Sequence, residues 1–187
     1  SVRFAGSGSN ITVAGTKALT DDGVNNLAID GRLNLILLNV VPSVTAADAF
    51  FGGYADVSVR LTGVDRVRRL SGSATLQNAA LATFIGSNRL TMDRINGRII
   101  FSSNQAQIEQ ATGFLGGGRF VASGGALFND ELQIASYRLA LNGTDITLPL
   151  PEDFITTGDA RIEVSGRRIG TELTSLVAGS ILARRSV

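Results

Sequence analysis

The side chains that carry out most enzymatic chemistry are missing from this chain or scattered along it. Its 187 residues include no His and no Cys, and Lys17 is the single lysine among 17 basic residues. Without His or Cys, the Ser and Thr hydroxyls lack their usual general base, so the common nucleophilic triads and dyads are excluded. A Ser–Lys dyad would rest on Lys17, which stands beside a turn with no neighbour in the sequence to activate it. The 16 acids could pair across a cleft in the manner of a glycosidase. Most of them fall at turns (Asp21, Asp22, Asp65, Asp130, Asp145) or on polar strand faces (Asp56, Glu163), a distribution that solvates a surface. Carboxylates alone would favour Ca²⁺ or Mg²⁺, and Asp21-Asp22-Gly23 is too short a run for a calcium loop. The absence of cysteine also excludes disulfides and thiolate metal sites. The expectation is a protein that is not an enzyme and uses no metal or cofactor.

The cations point to no large polyanion either. The net charge is +1, so no global field would draw in nucleic acid. The arginines cluster at Arg66, Arg68 and Arg69, at Arg167–Arg168 and at Arg184–Arg185. These are either solvated turn residues or contacts to phosphate or lipid headgroups. A nucleic-acid surface would also want exposed aromatics, whereas Phe101, Phe120 and Phe128 sit in phase with apolar neighbours. The glycine motifs are not nucleotide loops. Gly6-Ser7-Gly8 lacks a third glycine at dinucleotide spacing, and Gly116-Gly117-Gly118 lacks a following Lys-Ser/Thr. Three successive residues without Cβ let the chain kink or bulge.

The elements that would position these residues are short alternating strands. Aromatics make up 6% and charged residues 18%, against 22 glycines and three prolines, which fits β-structure with many tight turns. In Tyr54–Thr62, Ala55, Val57, Val59 and Leu61 share one face, and Asp56, Ser58, Arg60 and Thr62 the other. The same alternation recurs in Asn10–Ala14, Val24–Asp30, Leu70–Asn78, Arg98–Ser103, Leu132–Asn142 and Asp159–Ser165. Arg32–Val41 is apolar on both faces and reads as a strand covered on both sides. Val44–Phe51, Ala-rich between Pro42-Ser43 and Gly52-Gly53, is the one helix candidate. Asn78–Ile85 reads as a helical turn or an irregular crossover, and Asn96-Gly97 predicts a tight hairpin between Leu90–Ile95 and Arg98–Ser103. No long helical pattern separates the strands, so an antiparallel meander is expected rather than parallel βαβ units. No run of apolar residues approaches the ~18 needed for a membrane helix. Residue 1 already stands at a strand-like stretch, so the whole chain, 1–187, reads as one β-rich segment of a longer protein.

One stretch carries a family resemblance. Across Ala47–Leu127, Gly-bounded Val57–Gly63 is followed by Leu70-Ser71-Gly72 ending in Asn78-Ala79. Then come the Ile-x-Gly-x-Ile-x-Phe strand Ile95–Phe101 and the Gly-rich strand Gly116–Gly124, and Tyr137–Pro151 continues in the same manner. This order resembles the C-terminal domain of the TamB proteins, in the AsmA-like superfamily of bacterial envelope proteins. The resemblance implies an all-β fold: a large curled, mostly antiparallel sheet enclosing an apolar trough (a β-taco), here with one short helix. It implies a place in the periplasm as part of an inner-membrane-anchored protein. It also implies an outer-membrane barrel partner of TamA type, and a role in phospholipid transport between membranes and in outer-membrane protein assembly.

Alternation and the implied trough together nominate a set of inner-surface, lipid-binding residues. They are Val57, Val59, Leu61, Leu76, Ile99, Phe101, Phe120, Ile134, Ile162 and Val164. The competing reading is that they fill a closed sandwich core. The expected ligand is a phospholipid or hydrophobic client. The alternative function is a structural or chaperone module that binds outer-membrane protein strands by strand addition.

Overall fold

The computed structural model describes residues 1–19, 23–40, 50–64, 67–85, 88–149, 155–170 and 172–186. Eleven strands form one antiparallel sheet in strict chain order. They are β1 (Val2–Gly6), β2 (Ser9–Thr16), β3 (Asn25–Asn34), β4 (Phe50–Val64), β5 (Val67–Ile85), β6 (Asn88–Ser103), β7 (Gln105–Leu115), β8 (Gly118–Phe128), β9 (Ile134–Pro149), β10 (Ile155–Ile169) and β11 (Glu172–Ser186). Among the described residues the fold is therefore all-β, with a single 3-10 turn at Leu35–Val40. Among the described residues no helix is long and apolar enough to cross a membrane.

Period-two alternation explains the sheet's two faces, because paired residues of antiparallel strands project to the same side. Starting from Val59, the register runs Val2, Val13, Ile29, Val59 and Gly72 across β1 to β5. It continues through Phe101, Ala106, Ala126, Tyr137, Gly166 and Ser175 across β6 to β11. The apolar face is thus continuous over the whole sheet.

The sheet curls onto that face. Register shifts interrupt the ladders at Gly52/Tyr54, Leu76/Ala79, Asp93/Asn96, Ile108/Ala111 and Gly158/Ala160. Each bulge adds a residue to one strand and bends it. Two contacts close the curl. The Gly116 N–H donates to Thr91 O at 3.4 Å, and the Thr147 N–H donates to Gly116 O at 3.3 Å, so β6 and β9 meet around the tip of the β7–β8 hairpin. At the other end of the strands, the β8–β9 turn folds back over the β6–β7 hairpin. The Phe128 N–H reaches Asn104 O at 2.7 Å and the Arg68 N–H reaches Asp130 O at 2.8 Å.

Several local expectations are corrected. The doubly covered strand at Arg32–Val41 ends at Asn34, and a 3-10 turn follows. A stretch apolar on both faces cannot bury both from an open sheet, so it turns over instead. The Asn34 Oδ1 accepts the Ile36 N–H at 3.1 Å, and the Asn39 carboxamide bonds the backbone of Phe51. Leu35 and Leu38 then pack on Ala55 and Ala79. The helix candidate Val44–Phe51 lies outside the described residues up to position 49, and Phe50 and Phe51 open β4.

Asn96-Gly97 makes no hairpin. β6 runs straight through it, because Gly97 pairs with Leu76 on one side and Ala111 on the other. Ladders on both flanks outweigh a local turn preference. Two left-handed residues, Asn78 and Arg94, fall in the bulges instead, where the Asn96 carboxamide accepts the Asn78 N–H at 3.1 Å and donates to Arg94 O at 2.9 Å. Asn78–Ile85, expected to be helical or irregular, belongs to β5, which runs to 19 residues.

Candidate hydrophobic groove

The side chains that give the groove its character come from the apolar half of each alternating strand. The structure brings all of the nominated residues onto the same concave face. Ile134 needs help to get there. Strict alternation in β9 would send it to the convex side, but the register shift at Leu127/Phe128 pairs it with Phe128 and turns it inward.

That face has two halves with different packing. At the end where β6 and β9 meet, the apolar side chains make a filled core. Leu115, Phe120, Ile146, Leu148 and Ala160 are buried, with Leu90, Met92 and Ile162 packed against them. Ile146 is only 1% exposed. Its side chain occupies the space where a Cβ on Gly143 would stand, so the strand can fold a large residue across its own backbone only because Gly143 has none. A smaller cluster of Leu35, Ala55 and Ala79 includes Val57 and Leu76 among its partly buried neighbours.

At the other end, under the β8–β9 turn, the face is not filled. A hollow of about 490 Å³ is lined by Ile99, Phe101, Ile108, Ile134, Leu139 and Val164, with Ala106, Ala126 and Tyr137. None of these residues is buried. The volume lies within the ~300–1,000 Å³ of small-molecule sites. Four nominated residues (Ile99, Phe101, Ile134 and Val164) line this hollow. Val57 and Leu76 pack on the Leu35 cluster, Phe120 and Ile162 belong to the filled core, and Val59 and Leu61 stand on the same face in β4, outside both clusters and the lining of the hollow. Ile108, Tyr137 and Leu139 were not nominated. Their phase with Ile134 and Val164 across β7, β9 and β10 is the signal that finds them once the register is known.

The convex face is polar and laced with ion pairs. The Arg32 Nε meets Asp56 Oδ1 at 2.9 Å, and the Gln77 amide bonds both partners. The hydrogen bond from Arg32 holds the Asp56 carboxyl below the usual carboxylate range. The Arg138 Nε meets Glu163 Oε1 at 2.8 Å, and that bond raises the Arg138 guanidinium further. Arg184 bridges Asp145 and Asp159 at 2.9 and 2.7 Å. Exposed pairs of this kind stabilise little, because water screens them. Their clearer consequence is that one side of the sheet stays wet and the other apolar.

No known protein family matches the chain, and neither curated proteins nor solved structures show a match to it.

Proposed function

We propose that the chain is a hydrophobic-groove segment of a periplasm-spanning, TamB-like protein. In this reading it shelters phospholipid acyl chains on their way between the inner and outer membranes and supports outer-membrane protein assembly alongside a TamA-type barrel. The observation that carries the reading is the unfilled half of the concave face: an apolar hollow of about 490 Å³ whose walls are open to water. A closed sandwich would have filled it. Acyl chains placed there would gain about 0.8 kcal/mol per buried CH₂. Aliphatic walls without directional hydrogen bonds would hold them weakly enough to let them pass. The reading includes no catalytic step.

The strand-addition alternative has its own support. β11 is a 15-residue edge strand, and Leu176 and Val177, on its two faces, are each 67% exposed. Such an edge offers unpaired backbone groups to another strand.

Purification of the chain from bacterial cells, followed by mass spectrometry of bound lipid, separates the two. The groove reading expects phospholipid on the wild type and its loss in Phe101→Arg. Val59→Arg, which lies outside the hollow, loses lipid only if the chain occupies the longer face. Wild type without lipid, or Phe101→Arg with as much as wild type, overturns the groove. Peptide capture that depends on β11 and is indifferent to Phe101 would establish the alternative.

A further inference from the structure

Of the charged residues with a described strand partner, Arg68 and Arg168 alone stand on the concave face. Arg68 shares its side of β5 with Leu70, and Arg168 shares its side of β10 with Val164 and Gly166. The other paired charges, among them Arg32, Asp56, Arg138, Arg161 and Glu163, point to the convex face. Placing a guanidinium on an otherwise apolar face is unfavourable unless its head reaches polar partners at an edge.

Both arginines sit at the same edge, the rim of the hollow. The Arg168 Nε donates to the carbonyl of Ile134 at 2.9 Å, and Ile134 is itself a wall of the hollow. Arg68 lies at the far side of the same β8–β9 turn, with its backbone N–H on Asp130 O at 2.8 Å. The turn carries two acids: Asp130 gives its carboxylate to Arg69 at 2.8 Å, and Glu131 is exposed. Inside the rim, the Tyr137 ring lies over Gly166 and carries its hydroxyl to Ser175 Oγ at 2.7 Å. One end of the hollow therefore offers guanidinium and hydroxyl groups, and the rest of its wall is almost wholly carbon.

We infer that this rim is an anionic headgroup site: Arg168, aided by Arg68 and the Tyr137–Ser175 hydroxyls, binds the phosphate of a lipid whose hydrocarbon chain occupies the hollow. The inference rests on the groove reading above and adds an orientation and a charge preference to it. Guanidinium and phosphate form the charge-assisted bonds that arginine geometry suits. The chain lies along Ile99, Leu139 and Val164, and the head stays at the wet edge.

The test is displacement of the neutral dye N-phenyl-1-naphthylamine from the full 187-residue chain. The competitors are dodecyl phosphate, dodecyl maltoside and inorganic phosphate. The expected result is about tenfold tighter binding of dodecyl phosphate than of the maltoside, weakening as salt is raised. Arg168→Gln removes that preference and leaves maltoside affinity unchanged, Arg168→Lys retains most of it, and Arg68→Gln reduces it. Should Arg168→Gln unfold through loss of its bond to Ile134, Arg68→Gln and Arg168→Lys carry the comparison. Equal affinity for the two amphiphiles, or an undiminished preference in the glutamine variants, overturns the headgroup site. Inorganic phosphate that competes as well as dodecyl phosphate would mean an anion site with no lipid chain, and overturns it too. Leu139→Arg tests the underlying groove separately. If it leaves both amphiphiles bound as in wild type, the groove reading itself fails.

Discussion

At the scale of single residues, the fold depends on a few side chains for which the strand geometry leaves no substitute. Among the described residues Ile146 is the largest fully buried side chain, and it is seated over Gly143. Ile146→Ala should cost about 2–5 kcal/mol, because the surrounding strands cannot collapse into the space. Denaturant unfolding measures it through the midpoint. On the convex face, Asp56 supplies a pH signature. Its folded-state carboxyl titrates below the ordinary range because Arg32 hydrogen-bonds the charged form. The stability this gives is present above the unfolded carboxylate pKa and is lost as pH falls through the lower, folded one. An NMR titration should show the Asp56 midpoint below that of a free carboxylate, and Arg32→Gln should return it to the ordinary value. Both residues are solvated, so the effect on stability is small.

At the scale of elements, the bulges and the two edges determine what the sheet can do. The bulges bend β4 to β10 towards their apolar side and deepen the curl that a sheet of eleven strands already tends to adopt. The edges are unequal. β1 has five residues, whereas β11 has 15. A long edge strand with apolar side chains on both faces is a template for pairing. The chain alone should therefore self-associate with rising concentration in sedimentation velocity runs. Leu176→Lys and Leu182→Lys, both exposed, should suppress that association without changing the unfolding midpoint. Suppression by Phe101→Arg instead would move the contact to the concave face.

At the scale of the whole molecule, the concave face is part core and part groove, and the two parts should answer mutation differently. Phe120, 4% exposed in the filled half, should lose about 3–5 kcal/mol on replacement by Ala. Phe101→Ala, at the half-buried wall of the hollow, should lose clearly less stability and yet weaken dye binding. Equal losses at the two sites in parallel thermal melts would mean that the hollow is packed in solution. The sequence by itself determined that the chain is built of alternating strands and, wherever the alternation runs unbroken, the side each residue faces, because the side-chain period in a strand is two and the apolar residues keep to it. Even the rim arginines were legible in that way, since Arg68 is in phase with Leu70 and Arg168 with Val164. Local pattern could not decide where the phase slips. Asn96-Gly97 has the chemistry of a hairpin and is held in β6 by ladders on both sides, and Ile134 reaches the groove only through a bulge. Nor could it decide that one half of the apolar face is filled and the other open. That depends on how far strands distant in sequence curl towards one another. β6 and β9 meet around Gly116 and pack Ile146 between them, whereas at the other end the β8–β9 turn crosses to Arg68 and leaves space beneath it.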